Sequence, residues 1–141
     1  MNRIYWDTML FVYLLEGEPQ FGPRVAEIYK QMMHRGDILC TSTFTVGEVL
    51  VGPQKKGSTH VVAEVKSHFT SDEIELIPFT MDVAEEYSRI RAVHPVLPAD
   101  AIHLATAAQT GTDLFLTNDR RLLRLNVPGI SFIAGLDAKI F

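Results

Sequence analysis

Four acidic residues occupy places where a folding chain tends to gather ligands. Asp7 is the first polar residue after Ile4-Tyr5-Trp6. Glu48 lies in Val46-Gly47-Glu48-Val49-Leu50, and Asp100 in Pro98-Ala99-Asp100-Ala101-Ile102. Asp119 follows Asp113-Leu114-Phe115-Leu116-Thr117 by two positions. Acids flanked this way sit at the edge of a core rather than on a solvated face. Two carboxylates about 5 Å apart repel by about 3 kcal/mol at an effective dielectric of about 20. If the four converge, either their pKa values rise or divalent cations bind. An all-oxygen donor set without a His/Cys partner set favours Mg2+, with Mn2+ as a substitute. A pair of such ions cancels four carboxylate charges and lets a phosphodiester approach, and metal-activated water can then attack phosphorus.

Each acid also has a plain structural reading. Asp7 can cap a helix beginning at Thr8. Asp100 in a first helical turn gains about 0.3–1 kcal/mol from the helix dipole. Asp119 can cap the turn before Leu122-Leu123, leaving Asn118 as an alternative ligand. Glu48, on a stripe with Phe44 and Val51, needs a partner if buried. His103 stands one helical turn beyond Asp100, a spacing that can hold a transition metal but reads first as packing or hydrogen bonding near the site. His34, His60, His68 and His94 show no ligand spacing and default to the surface. The basic pairs Lys55/Lys56, Arg89/Arg91 and Arg120/Arg121, with Arg124, are spread along the chain. Arg120 and Arg121 directly follow the fourth acid and are the best candidates for binding a phosphate of the substrate.

The rest of the chain supplies the elements that must position these groups. It has 141 residues, 47% of them apolar, and 13 Lys+Arg against 17 Asp+Glu for a net charge of −4. The apolar content excludes intrinsic disorder. A chain of this length buries roughly two-thirds of its unfolded surface without help from metal or disulfide. One cysteine, Cys40, excludes an internal disulfide and a multi-cysteine zinc site, and reads as a buried small hydrophobe. The longest apolar run, Met9 to Leu15, falls far short of the ~18 residues of a spanning helix. Arg3 ahead of that run hints faintly at a signal peptide, but Trp6-Asp7-Thr8 intervenes and no small-x-small site follows. A cytoplasmic protein is expected.

Strand candidates are Arg3–Trp6, Ile38–Thr41, Ile74–Ile77, Asp113–Thr117 and Ile130–Ile133. Helices are predicted over Thr8–Leu15, Pro23–Arg35, Thr43–Val51 (stopped by Gly52-Pro53), His60–Phe69, Met81–Val93 and, after the rigid connection His94–Pro98, up to Gln109, with a helical turn at Asp119–Leu125. Gln54–Thr59 reads as a loop. The alternation predicts one domain over residues 1–141: a three-layer α/β sandwich around a roughly five-stranded parallel sheet. Ligands of such sheets bind beyond the carboxyl ends of the strands. Ala101, Ala105 and Ala108 suit close helix–sheet packing. Met9, Phe11, Val12, Leu14 and Leu15 are mostly core, with an excess that Phe21, Met32 and Met33 extend towards a dimer or partner surface.

These segments together resemble the PIN domain family, in particular the VapC-type ribonuclease toxins of type II toxin–antitoxin systems. Ile4-Tyr5-Trp6-Asp7-Thr8 is similar to the family's apolar strand ending in Asp-Thr/Ser. Thr41-Ser42-Thr43-Phe44-Thr45-Val46-Gly47-Glu48 is similar to its Ser/Thr-rich segment before a helical Glu. Pro98-Ala99-Asp100-Ala101-Ile102-His103-Leu104-Ala105-Thr106-Ala107 is close to its Asp-Ala-x-x-Ala-x-Ala helix. Leu116-Thr117-Asn118-Asp119 resembles its Thr-x-Asp segment. The four segments follow in order over nearly the whole chain. The resemblance implies a metal-dependent endoribonuclease cutting single-stranded or loop RNA. It assigns Asp7, Glu48, Asp100 and Asp119 to the metal cluster, with Asp7 and Asp100 foremost, and Thr8 and Thr117 to water or phosphate. It also implies a homodimer and a cognate antitoxin covering the active site.

Other readings fit less well. A haloacid-dehalogenase-type phosphohydrolase wants Asp-x-Asp after strand one, where this chain has Asp7-Thr8-Met9. A phosphoacceptor signalling domain wants an Asp after strand three, where Pro78-Phe79-Thr80 stands, and a Lys near strand five, whereas Lys139 lies far past it. A housekeeping PIN-type nuclease shares the same residues, and a silent interaction module has no use for all four acids.

Overall fold

A computed structural model describes residues 2–141. The elements run β1 (Arg3–Trp6), α1 (Thr8–Glu16), α2 (Gly22–Arg35), β2 (Ile38–Ser42), α3 (Thr43–Lys55), α4 (Thr59–Phe69), β3 (Ile74–Ile77), α5 (Met81–Val93), α6 (Pro98–Thr110), β4 (Thr112–Leu116) and β5 (Ile130–Ala134). A 3-10 turn at Arg120–Leu122 lies between β4 and β5. Every strand pairing is parallel, in the order β3-β2-β1-β4-β5. Among the described residues, no helix is long and apolar enough to cross a membrane.

The two-residue period of the strands sorts the core onto two faces. Ile4, Trp6, Leu39, Leu114 and Leu116 point to one face, where they pack with Leu10, Phe11, Val25, Ile28, Val49 and Phe69 of α1–α4. Tyr5, Cys40 and Phe115 point to the other and meet Val83, Ile90, Leu104 and the alanines of α5 and α6. The result is the expected three-layer sandwich. Ala101, Ala105, Ala107 and Ala108 are buried; lacking bulk, they let α6 lie close against the sheet. Burial also pushes the Cys40 thiol up to about 12, so it packs as an apolar group.

Three local expectations change. Helix α3 does not stop at Gly52-Pro53 but runs through to Lys55, shrinking the expected loop. Gly52 has no Cβ to collide with the proline ring, so the residue before Pro53 stays helical at low cost. The turn expected over Asp119–Leu125 is only the short 3-10 segment. Met32 is fully buried, whereas Met9, Leu15 and Met33 remain substantially exposed, so Met32 leaves the proposed surface patch.

Gly129 introduces β5 at a φ of 99°, and its backbone lies against the Ala108 carbonyl at the end of α6. An added Cβ would combine a left-handed strain with a backbone clash, and the Gly129 carbonyl accepts from Thr112 N–H at 3.0 Å, tying β4 into register. Gly129→Ala is therefore expected to cost about 3 kcal/mol, measured as a lower urea midpoint at unchanged m-value. An unchanged midpoint would show that this corner moves freely.

Candidate functional site

Strand order reverses between β1 and β4, and the carboxyl ends of these neighbours open a crevice. Asp7 stands at the end of β1 and Thr117 at the end of β4. The Asp7 N–H bonds to the Leu116 carbonyl at 3.0 Å. One carboxylate oxygen of Asp7 accepts from the Thr8 N–H at 2.7 Å, capping α1, and the other accepts from the Thr117 hydroxyl at 2.7 Å. Capping and site roles thus belong to one side chain. Thr117 Oγ1 also accepts from the Asp119 N–H at 3.0 Å, which sets the turn carrying the fourth acid. Asp100 comes from the first turn of α6 and Glu48 from α3. Asp7, Thr8, Glu48, Asp100 and Asp119 line one cavity of about 450 Å³, with His103, Arg120 and Arg121 also on its walls. Thr117 lines the adjoining cavity.

The acids differ electrostatically. Burial raises the pKa of Asp100, and the neighbouring charges of Asp119 and Asp7 raise it further, against a smaller opposing effect of Arg121. Burial likewise pushes the Glu48 carboxyl up, but hydrogen bonds from His103 and Thr8 outweigh it and hold Glu48 below the usual carboxylate range. The Arg121 guanidinium holds Asp119 low against a slight burial effect.

Arg121 and Arg120 part company. Arg121 grips Asp119, with Nη2 at 2.6 Å from Oδ2 and Nε at 3.0 Å from Oδ1, and lies 3.8 Å from Asp100. Its guanidinium faces the acids rather than a substrate path. Arg120 is exposed and makes no ion pair among the described residues. Asn118 donates to the Tyr13 hydroxyl at 3.1 Å.

The residue underrated by sequence reasoning is His103, now 3% exposed at the back of the cavity. Its Nε2 lies 2.8 Å from Glu48 Oε1, 3.1 Å from Thr8 Oγ1 and 3.7 Å from Asp7 Oδ1. Its Nδ1 lies 2.7 Å from the Tyr5 hydroxyl. Burial drives the Tyr5 pKa far up, so Tyr5 keeps its proton. A carboxylate only accepts, so Nε2 donates to Glu48. Thr8 donates to the same Glu48 oxygen at 2.5 Å. The Asp100–His103 spacing was the available signal, and its first reading, hydrogen bonding near the site, matches the geometry. The partner on the other ring nitrogen, Tyr5, is 98 residues away and had no signal.

The donor chemistry fits a hard divalent cation: carboxylate oxygens predominate, and Asp100 carries repulsion from Asp119 and Asp7 that a bound cation would relieve. In the observed arrangement Arg121 occupies part of that role. Among the described residues, no three His, Cys, Asp or Glu groups surround a common metal position. Asp119 must leave Arg121 to join a shared ion.

A parallel three-layer sheet with acids gathered at its strand-order reversal defines a class of site suited to phosphate esters. The PIN domain family model matches residues 4–128, and the chain belongs to that family. No curated protein matches the chain. Solved structures share the fold. A chain of VapBC2 from Rickettsia felis, bound to a promoter DNA fragment, superposes with TM-score 0.74 at 14% identity, covering 94% of this chain and 98% of that one. A chain of DNA-bound VapBC from Salmonella typhimurium gives 0.71 at 23% identity, covering 96% and 99%. VapC20 of Mycobacterium tuberculosis, a sarcin-ricin loop-cleaving toxin, gives 0.64 at 16% identity, covering 79% and 86%.

Proposed function

We propose that this chain is a divalent-metal-dependent endoribonuclease and the toxin of a toxin–antitoxin pair. The observation that carries the reading is the gathering of Asp7, Glu48, Asp100 and Asp119 from separate segments around one cavity, with Asp100 under repulsion from its neighbours. The likeness to toxin–antitoxin structures, and to a sarcin-ricin loop-cleaving toxin, supports the choice of RNA and of an antitoxin partner.

Asp7, Glu48, Asp100 and Asp119 would hold Mg2+, with Mn2+ as a substitute. When bound, the ion activates water and neutralises charge on the phosphodiester. The chain's own residues orient the rest. Thr117 and the Thr8 N–H fix both oxygens of Asp7, and His103 with Thr8 fixes Glu48. In this reading the Thr8 and Thr117 hydroxyls, whose protons go to Glu48 and Asp7 in the metal-free protein, turn to water or a phosphate oxygen as the substrate enters. Arg120, which makes no ion pair among the described residues, meets the RNA backbone. Hydrolysis joins the water oxygen to phosphorus and breaks one P–O ester bond; one water proton goes to the departing oxygen, and the other is released from the new phosphate to solvent. A homodimer is part of the same reading. The exposed Met9, Leu15 and Met33 offer apolar surface to the antitoxin or to a second copy.

Chelation tests the metal requirement. EDTA is expected to stop cleavage of a single-stranded RNA, and excess Mg2+ or Mn2+ to restore it, read on a denaturing gel. Cleavage that persists in EDTA would reject it.

A further inference from the structure

We infer that the cavity beside the acid cluster is a subsite for the nucleotide next to the scissile phosphate of a single-stranded RNA. The inference rests on the nuclease reading above. This second cavity, about 380 Å³, shares Asn118 and Arg120 with the acid-lined one, so a polymer leaving the acids over that pair enters it directly.

Its walls carry the opposite charge. Arg24 and Arg120 line it against one carboxylate, Asp137. Neither arginine forms an ion pair among the described residues. Arg24 is held by neutral partners: Nε donates to the Leu136 carbonyl at 2.8 Å and Nη2 to the Ala138 carbonyl at 3.1 Å. Its plane is therefore fixed and its charge uncompensated, a preset arrangement for phosphate. Phe21 lies on the same wall, braced by the Tyr13 ring at a centroid distance of 5.0 Å. An anchored guanidinium beside an aromatic ring takes a nucleotide whole, with phosphate on the arginine and base on the ring. Asp137 supplies an acceptor for an exocyclic amine or a ribose hydroxyl.

The test is binding of a fluorescein-labelled oligoadenylate, followed by anisotropy across a salt series. Full-length Asp100→Asn protein is used so that the probe is not cut. Arg24→Gln is expected to weaken binding about tenfold and to lower the salt slope by about 0.7, one phosphate contact on a single strand. Phe21→Leu keeps apolar packing on Tyr13 and is expected to weaken binding about fivefold at unchanged slope. In the active protein, both raise KM for cleavage and leave kcat alone. Arg24→Gln also loses the tether to Leu136 and Ala138. If it fails to fold, Arg120→Gln repeats the charge test, since that side chain makes no hydrogen bond among the described residues. Wild-type affinity in both Phe21→Leu and the arginine variant overturns the subsite. A loss confined to the arginine variant also overturns it, in favour of diffuse attraction. Wild-type protein that cuts no RNA rejects the nuclease reading instead, and the anisotropy result stands apart from it.

Discussion

Asp100→Asn is expected to lower RNA cleavage by about a thousandfold or more while making the metal-free protein more stable. The two effects share one cause. Burial and the charges of Asp119 and Asp7 raise the Asp100 pKa in the folded protein. The native state then binds a proton more tightly than the unfolded chain, so protonation stabilises the fold. That contribution is complete below the ordinary carboxylate range and is lost as pH rises through the raised value. At neutral pH the charged Asp100 opposes folding, and an amide of the same shape removes the penalty. A bound divalent cation relieves the same repulsion in the native protein. At a metal concentration about a hundred times Kd it adds about 2.7 kcal/mol of stability, or several degrees in Tm. Asp100→Asn should begin at a higher Tm in EDTA and gain much less on adding Mg2+. Thermal scans with and without the ion, beside a cleavage assay, measure all three quantities. A variant that cuts RNA at the wild-type rate, or has a wild-type response to the ion, would remove Asp100 from the site.

His103→Ala is expected to reduce cleavage by about 10–100-fold through loss of positioning, and to cost about 3 kcal/mol of stability by emptying a buried site, leaving the Tyr5 hydroxyl without its imidazole partner and Glu48 with Thr8 alone. Glu48 separates the two effects. Its carboxyl is held low chiefly by the His103 hydrogen bond, against burial. A depressed pKa contributes stability above the unfolded value that disappears as pH falls through the folded one. Without His103, burial prevails and Glu48 takes a proton at higher pH. The acid limb of the cleavage profile should therefore move to higher pH. Tyr5→Phe leaves the ring and removes only the hydroxyl that orients the imidazole, so a smaller shift in the same direction is expected. His103→Gln, which keeps a donor for Glu48, should recover part of the activity. A His103→Ala protein that is destabilised but keeps the wild-type acid limb and kcat would reduce His103 to packing.

The layered architecture was legible because its signals are local. Ile4-Tyr5-Trp6 and Leu114-Phe115-Leu116 are short, apolar and bounded by polar or turn residues. Parallel strands buried on both faces have that pattern whatever lies around them. Where the expectation failed, a local rule met a local exception. Pro53 reads as a helix stop, but Gly52 before it has no Cβ and so removes part of the clash behind that rule. Met32 lies beside the exposed Met33, and only the helix phase of α2 tells the core face from the outer one.

The sequence by itself determined which residues can meet at a strand-end crevice: Asp7 after β1, Thr117 after β4, and Glu48 and Asp100 on helices flanked by apolar neighbours. Chain direction and the two- and 3.6-residue periods set these positions within a few residues of each acid. Only the tertiary structure decided how the charges are shared. It turned Arg121 onto Asp119 and left Arg120 outward, although the two are adjacent and alike in the sequence. It brought Tyr5 to His103 and His103 to Glu48. The reason is physical: a hydrogen bond or ion pair depends on ångström distances and on burial, and both are set by packing between segments that sequence order keeps far apart.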